Sequence, residues 1–188
     1  ACVTGPARLV ATDIDVPEDI SSAAFFMVGA CIADDSDILL EHVGINPTRT
    51  GIIDILKLMG ADIMFSNQQE IGGEPVVDIQ VRSSSLKGVH IPEELVPLAI
   101  DEFPVIFVAA ACADGQTVVT GAEELRVKES DRIQVMADGL VALGVDARDT
   151  DDGMIIQGGG IGAAQFDHAG QSGTRLVKST LTNANHTQ

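Results

Sequence analysis

The chain has 188 residues, with 11 Lys and Arg against 28 Asp and Glu, a formal charge of −17, and 45% apolar residues without a single Trp or Tyr. That length suits one domain, and the apolar fraction favours a folded core of Ala, Val, Ile, Leu and Met over a disordered chain. A strongly acidic chain without a basic stripe argues against a nucleic-acid partner, and apolar runs broken by Asp and Gly argue against a membrane partner.

Three cysteines, Cys2, Cys31 and Cys112, show no metal-ligand spacing, and the four histidines are scattered. They read as small buried thiols of a reducing compartment, so a cytoplasmic protein without metal or cofactor is expected. The chain opens at Ala1 with no Met, as a processed protein or a piece of a longer one would.

In chain order, Leu9–Val16 alternates well enough for an opening strand, and Pro17, Asp19 and Ser21-Ser22 carry helix N-terminus chemistry. An Ala-rich apolar helix is predicted from about Ile20 to Ala33, then a strand near Asp37–His42 and a helix ending at Leu58-Met59-Gly60. Strands follow at Ala61–Phe65 and Val76–Val81, separated by Gly72-Gly73. Ser83-Ser84-Ser85 reads as the connection after the last strand rather than as a phosphate loop.

The same pattern then recurs. A second apolar helix is expected from about Ile100 to Ala113, a strand near Thr117–Thr120, and a helix ending at Leu143-Gly144. Short strands at Val145–Arg148 and Met154–Gln157 flank Asp151-Asp152-Gly153. The copies are offset by 80 residues at their first helix (Ile20 to Ile100) and by 84 at their closing glycine (Gly60 to Gly144). The extra residues fall in the strand-to-helix loop of the second copy. The fold class is therefore α/β, built of repeated units, and no Gly-x-Gly-x-x-Gly follows a strand as a dinucleotide fold would require.

That longer loop leads into Arg126-Val127-Lys128-Glu129-Ser130-Asp131-Arg132, where three of the 11 cations fall within seven residues. In so acidic a chain a local excess of positive charge reads as a site for a phosphate or carboxylate. The plainer alternative is a surface helix, but Lys128 and Arg132 would repel each other at i,i+4 spacing. Asp101-Glu102 opens the second apolar helix, where two carboxylates are ordinary dipole chemistry. If the helix N-termini converge, Asp101 lies near Lys128, Glu129 and Arg132, a set suited to proton transfer on an anionic substrate.

Several strings here resemble the 5-enolpyruvylshikimate-3-phosphate synthase family: Val16-Pro17 with Asp19-Ile20-Ser21-Ser22-Ala23-Ala24-Phe25, Asn46-Pro47-Thr48-Arg49-Thr50-Gly51, Ile100-Asp101-Glu102-Phe103-Pro104, and Glu124-Leu125-Arg126-Val127-Lys128-Glu129-Ser130-Asp131-Arg132-Ile133. The resemblance runs in order from about Arg8 to Gly159. It implies domains of repeated βαβαββ units, as in one domain of the inside-out α/β barrel of enolpyruvyl transferases. It also implies transfer of enolpyruvyl from phosphoenolpyruvate to the 5-hydroxyl of shikimate 3-phosphate, with no cofactor. By the same resemblance Asp101 takes the hydroxyl proton and helps bind shikimate 3-phosphate, and Glu129 serves as acid and base at the methylene carbon. Lys128 contacts the reacting groups, and Arg132 binds phosphoenolpyruvate.

Family enzymes are more than twice as long as this chain. Residues 1–160 are therefore expected to form two of the three units of one domain (about 8–90 and 91–160), followed by a divergent, weakly ordered tail at 161–188. Such a fragment is expected to be inactive alone and to need a complementary domain. The alternative is a non-catalytic module of this fold that forms homo-oligomers.

Overall fold

The computed structural model describes residues 13–159 without a break, together with residues 2, 5, 10 and 11. The tail at 161–188 lies outside the described residues.

Two copies of one supersecondary unit make up the described chain. The first holds α1 (Ile20–Ile32), β1 (Asp37–Gly44), α2 (Gly51–Leu58), β2 (Asp62–Ile71) and β3 (Glu74–Arg82). The second holds α3 (Phe103–Cys112), β4 (Gln116–Val119), α4 (Arg132–Ala142), β5 (Asp146–Thr150) and β6 (Gly153–Gln157), preceded by short 3-10 turns at Glu93–Leu95 and Pro97–Ala99. Each unit carries an antiparallel three-stranded sheet, ordered β1-β3-β2 and β4-β6-β5. The last strand of each unit is thus the central one, which fits its composition: Val76, Val77, Ile79 and Val81 of β3 are buried, as are Met154 and Ile156 of β6.

The ends of α2 and α4 follow from glycines. Gly60 and Gly144 take positive φ, 92° and 83°. In both cases the glycine N–H bonds back to the carbonyl three residues earlier (Lys57 at 3.0 Å, Val141 at 2.9 Å). The next N–H reaches five back (Ala61 to Leu56 at 2.9 Å, Val145 to Leu140 at 3.0 Å). This is the same Schellman closure twice, and it turns each chain directly into its next strand.

The opening strand is where expectation and structure part. Of Leu9–Val16, the described residues are in no strand, and Val10, Ile14 and Val16 are exposed. Parallel pairing falls instead on Glu18 against Val43. In the second unit it falls on His90 against Val118 and Lys87 against Asp114. Asp13, Asp15 and Pro17 explain the shift: two charges disfavour the ladder, and proline has no N–H to donate to it.

Helices α1 and α3 are apolar nearly all round, as helices in an interior must be, and they pack against each other. Phe103 and Phe107, one turn apart in α3, meet with ring centroids 5.6 Å apart inside the core. Helix α1 keeps one open side, where Phe25 and Phe26 are each 64% exposed. Ser83-Ser84-Ser85 is a connection, as expected: the Ser84 hydroxyl donates to the Arg82 carbonyl at 2.8 Å and accepts from the Asp62 N–H at 2.9 Å. Cys31 is buried and Cys112 half-buried, but Cys2 is exposed, against the expectation of buried thiols. Among the described residues no helix is long and apolar enough to cross a membrane.

Candidate active site

The loop that carries Arg126 and Lys128 spans residues 120–131, against 45–50 at the equivalent place in the first unit. A 3-10 turn at Glu123–Val127 fills the extra length and anchors it through Leu125, which is fully buried. Asp152 ties down the loop's start, its carboxylate accepting from the Gly121 N–H at 3.0 Å and its carbonyl from the Ala122 N–H at 2.6 Å.

Arg126 holds the other end. Its guanidinium donates to Asp131 at 2.7 Å, to Asp149 at 3.1 Å, to the Asp151 carbonyl at 2.9 Å and to the Thr150 carbonyl. The hydrogen bonds to Asp131 and Asp149 hold the Arg126 pKa above its ordinary value. Asp131 is in turn the N-cap of α4, accepting from the Gln134 N–H at 2.9 Å. Arg126 is therefore a structural clamp between the loop and the β5–β6 turn. This corrects the reading of all three cations as one anion receptor. A planar fork of five donors suits such a clamp in a way that a Lys ammonium cannot.

The remaining two cations converge with Asp101. Arg132 Nη2 donates to Glu129 Oε2 at 2.9 Å, and Arg132 Nη1 lies 3.7 Å from Asp101 Oδ1. Lys128 Nζ contacts Glu124 Oε1 at 2.5 Å. Lys128 is the last residue before the turn into α4 rather than part of a helix, so it does not stand at helical spacing from Arg132. The Glu124 hydrogen bond raises the Lys128 pKa, and the nearby Asp101 charge adds to this. Glu129 is held below the ordinary carboxylate range, first by its own backbone N–H and then by Arg132. The four residues expected from sequence thus share one place, but each cation already faces a carboxylate. The local excess of positive charge along the sequence is balanced in space.

This site is open. Beside Lys128 and Asp101 lies a shallow groove of about 350 Å³ lined by Val96, Pro97, Ile100, Gly121, Glu124 and Val127, and Val127 is 79% exposed. Among the described residues no group of three or more His, Cys, Asp or Glu is disposed to hold a metal ion.

Sequence reasoning missed a second cluster. Helix α3 begins at Phe103, later than expected, so Glu102 takes the N-cap position and Asp101 sits in the turn before it. Glu102 turns inward and accepts from the Ser21 hydroxyl. Arg49 donates to the same Ser21 oxygen at 2.6 Å and pairs with Asp19 at 3.3 Å. Asp19 is the N-cap of α1, so it and not Ser21 or Ser22 closes that helix. The first turns of α1 and α3 therefore do converge. The available signal was a carboxylate beside an apolar helix in each unit, and ordinary dipole chemistry masked it.

Comparison with known proteins decides the family. The sequence profile described as EPSP synthase (3-phosphoshikimate 1-carboxyvinyltransferase) matches residues 1–174. The chain belongs to the EPSP synthase family. It is 69% identical over 157 residues to the 3-phosphoshikimate 1-carboxyvinyltransferase of Hydrogenovibrio crunogenus, covering 84% of this chain and 35% of that protein. With the enzyme of the same name from Methylococcus capsulatus it is 63% identical over 169 residues, covering 90% of this chain and 39% of that one. A solved EPSP synthase from Acinetobacter baumannii superposes with a TM-score of 0.79 at 65% identity, over 81% of this chain and 35% of that one. The α/β fold of paired units is thus the EPSP synthase fold over the matched part. The chain spans a little over a third of the length of the EPSP synthases it matches.

Proposed function

We propose that this chain supplies one wall of an enolpyruvyl transferase active site. In that site enolpyruvyl passes from phosphoenolpyruvate to the 5-hydroxyl of shikimate 3-phosphate, by addition and then elimination. The observation that carries the reading is the meeting of Asp101 with Arg132 and Glu129, from two separate segments of an EPSP synthase chain, beside Lys128. Residues 1–160 are read as two units of one domain, and the rest of the cleft as the work of a complementary part. The exposed Phe25 and Phe26 support such a covering part.

The resting ion pairs suggest how the steps are ordered. Asp101 accepts the proton of the 5-hydroxyl as that oxygen attacks the enol carbon. Glu129 delivers a proton to the methylene carbon, and removes one from the resulting methyl group as phosphate leaves. While Arg132 holds it, Glu129 is ionised and suited to the second of these tasks only. An anion that recruits Arg132 weakens that hold and raises the affinity of Glu129 for a proton, so substrate binding itself prepares the acid. Lys128 exchanges Glu124 for the substrate's anionic groups in the same way.

A lone wall cannot exclude water or clamp two anions, so the chain by itself is expected to bind weakly and not to turn over. A cytoplasmic location goes with this reading. Isothermal titration of shikimate 3-phosphate into the chain, with and without phosphoenolpyruvate, tests it. Weak binding that is lost in Lys128→Ala supports the half-site. No binding by a folded chain counts against it and favours a non-catalytic, self-associating module instead.

A further inference from the structure

The proposed reaction uses Asp101 and leaves its neighbour Glu102 without a part. Yet Glu102 is the one charged side chain buried among the described residues, at 4% exposure. A carboxylate at an N-cap can bond the first N–H groups of its own helix while staying in water. Glu102 makes no such bond. It points instead to Ser21 in the first turn of α1, and Ser21 is held in turn by Arg49 from the loop before α2. Arg49 closes the line on Asp19, the N-cap of α1. Four side chains therefore connect the first unit to the second, and the line ends on the residue next to Asp101.

Burying a carboxyl disfavours the folded state unless it is well paired, so a pair kept at such a junction is better explained by the arrangement it fixes than by stability. We infer that Glu102 is a positioning residue for Asp101: with Ser21 and Arg49 it fixes the turn 100–102 against the start of α1, which keeps the Asp101 carboxylate facing Arg132. This deepens, and rests on, the role given to Asp101 above. The charged groups that face Glu102 are Arg49, backed by Asp19, from the first unit, and Asp101, backed by Arg132, from its own. Burial pushes the Glu102 pKa up, the Ser21 hydrogen bond and Arg49 charge oppose this, and the Asp101 charge adds to it. The link is therefore sensitive to protonation at a position where Gln can stand in for the protonated form.

The test uses the whole chain as wild type, Glu102→Gln, Glu102→Ala and Ser21→Ala, each checked for fold by circular dichroism. The first readout is the NMR amide resonance of Asp101 and its neighbours, followed as pH rises from the ordinary carboxyl range upward. Wild type is expected to show a titration step in this turn. Glu102→Gln is expected to lose the step while keeping the wild-type low-pH positions, and the two Ala variants to shift the resonances at every pH. Unchanged resonances in the Ala variants, or a step that persists in Glu102→Gln, would overturn the inference.

The second readout is titration with shikimate 3-phosphate. Glu102→Ala and Ser21→Ala are expected to bind at least about tenfold more weakly, with Glu102→Gln close to wild type at low pH. A wild type that binds no ligand but shows the NMR pattern would sink the proposed function and leave the positioning role standing. Ligand binding that is indifferent to all three variants would do the reverse.

Discussion

Asp101 and Arg132 approach to 3.7 Å from two segments that are separate in sequence, the turn before α3 and the first residue of α4. Each is also tied elsewhere: Arg132 to Glu129 at 2.9 Å, and the Asp101 turn through its neighbour Glu102 to Ser21. The Arg132 guanidinium thus faces two carboxylates, and under the proposed function it is released from them to an incoming anion.

Removing one of those carboxylates should free the cation. Asp101→Asn is expected to bind inorganic phosphate more tightly than wild type, by up to about fivefold, because an exposed pair of this kind is weak. The same variant should lose any binding of shikimate 3-phosphate that depends on the Asp101 carboxylate. Titration calorimetry with both ligands checks this, and parallel losses for both would contradict the pairing.

Arg126 should behave as a structural residue and not as a ligand. Arg126→Lys keeps the charge but cannot reach Asp131, Asp149 and two carbonyls at once. Its urea midpoint is expected to fall below that of wild type and of Arg148→Lys, whose Arg pairs locally with Asp146, two residues away. Hydrogen exchange in residues 128–132 should speed up with it. An Arg126→Lys chain of wild-type stability that loses only anion binding would restore Arg126 to the receptor.

Much of the fold was legible, because the two apolar helices α1 and α3, and the glycines that close α2 and α4, recur in both units. Gly60 and Gly144 read correctly as helix ends, since only their φ near +90° completes the two-bond closure seen in both units. The opening strand was misread because alternation in Leu9–Val16 says nothing about whether an edge is available to pair with. The site was legible as a string and not as a geometry. Arg126, Lys128 and Arg132 look alike in sequence, while their separate partners at 149, 124 and 101 are set by the tertiary fold. Glu102 was invisible for the same reason, as burial of an N-cap carboxylate depends on Ser21 and Arg49 from the other unit.

Backbone crowding in the second sheet gives a stability test. A Cβ on Gly153 would lie 2.0 Å from the Val119 carbonyl oxygen, which β4–β6 pairing holds in place. Gly153→Ala is expected to cost about 1–3 kcal/mol or more in urea unfolding, as overpacking does. Gly29→Ala, in α1 with nothing near its would-be Cβ, should be neutral or stabilising.

Glu102 carries a pH signature of fixed sign. Its pKa is raised by burial in the folded chain, so the folded state binds the proton more tightly than the unfolded state. Its contribution to stability is therefore fully present below the unfolded-state carboxyl pKa and is lost as pH rises through the raised folded value. The stability of wild type relative to Glu102→Gln should fall as pH rises from acid toward neutral. Denaturation curves across that range decide it, and a difference that grows in the opposite direction would mean that Glu102 is stabilised as a carboxylate.

Complementation decides whether this chain holds one catalytic wall of an EPSP synthase site, as proposed. The chain would be mixed with the part of the Hydrogenovibrio crunogenus enzyme that lies outside the matched segment, and phosphate release from phosphoenolpyruvate followed with shikimate 3-phosphate present. Turnover is expected from the mixture, none from either part alone, and none when the chain carries Asp101→Asn or Lys128→Met. A complex that forms without turnover, or turnover unchanged by both substitutions, would contradict it.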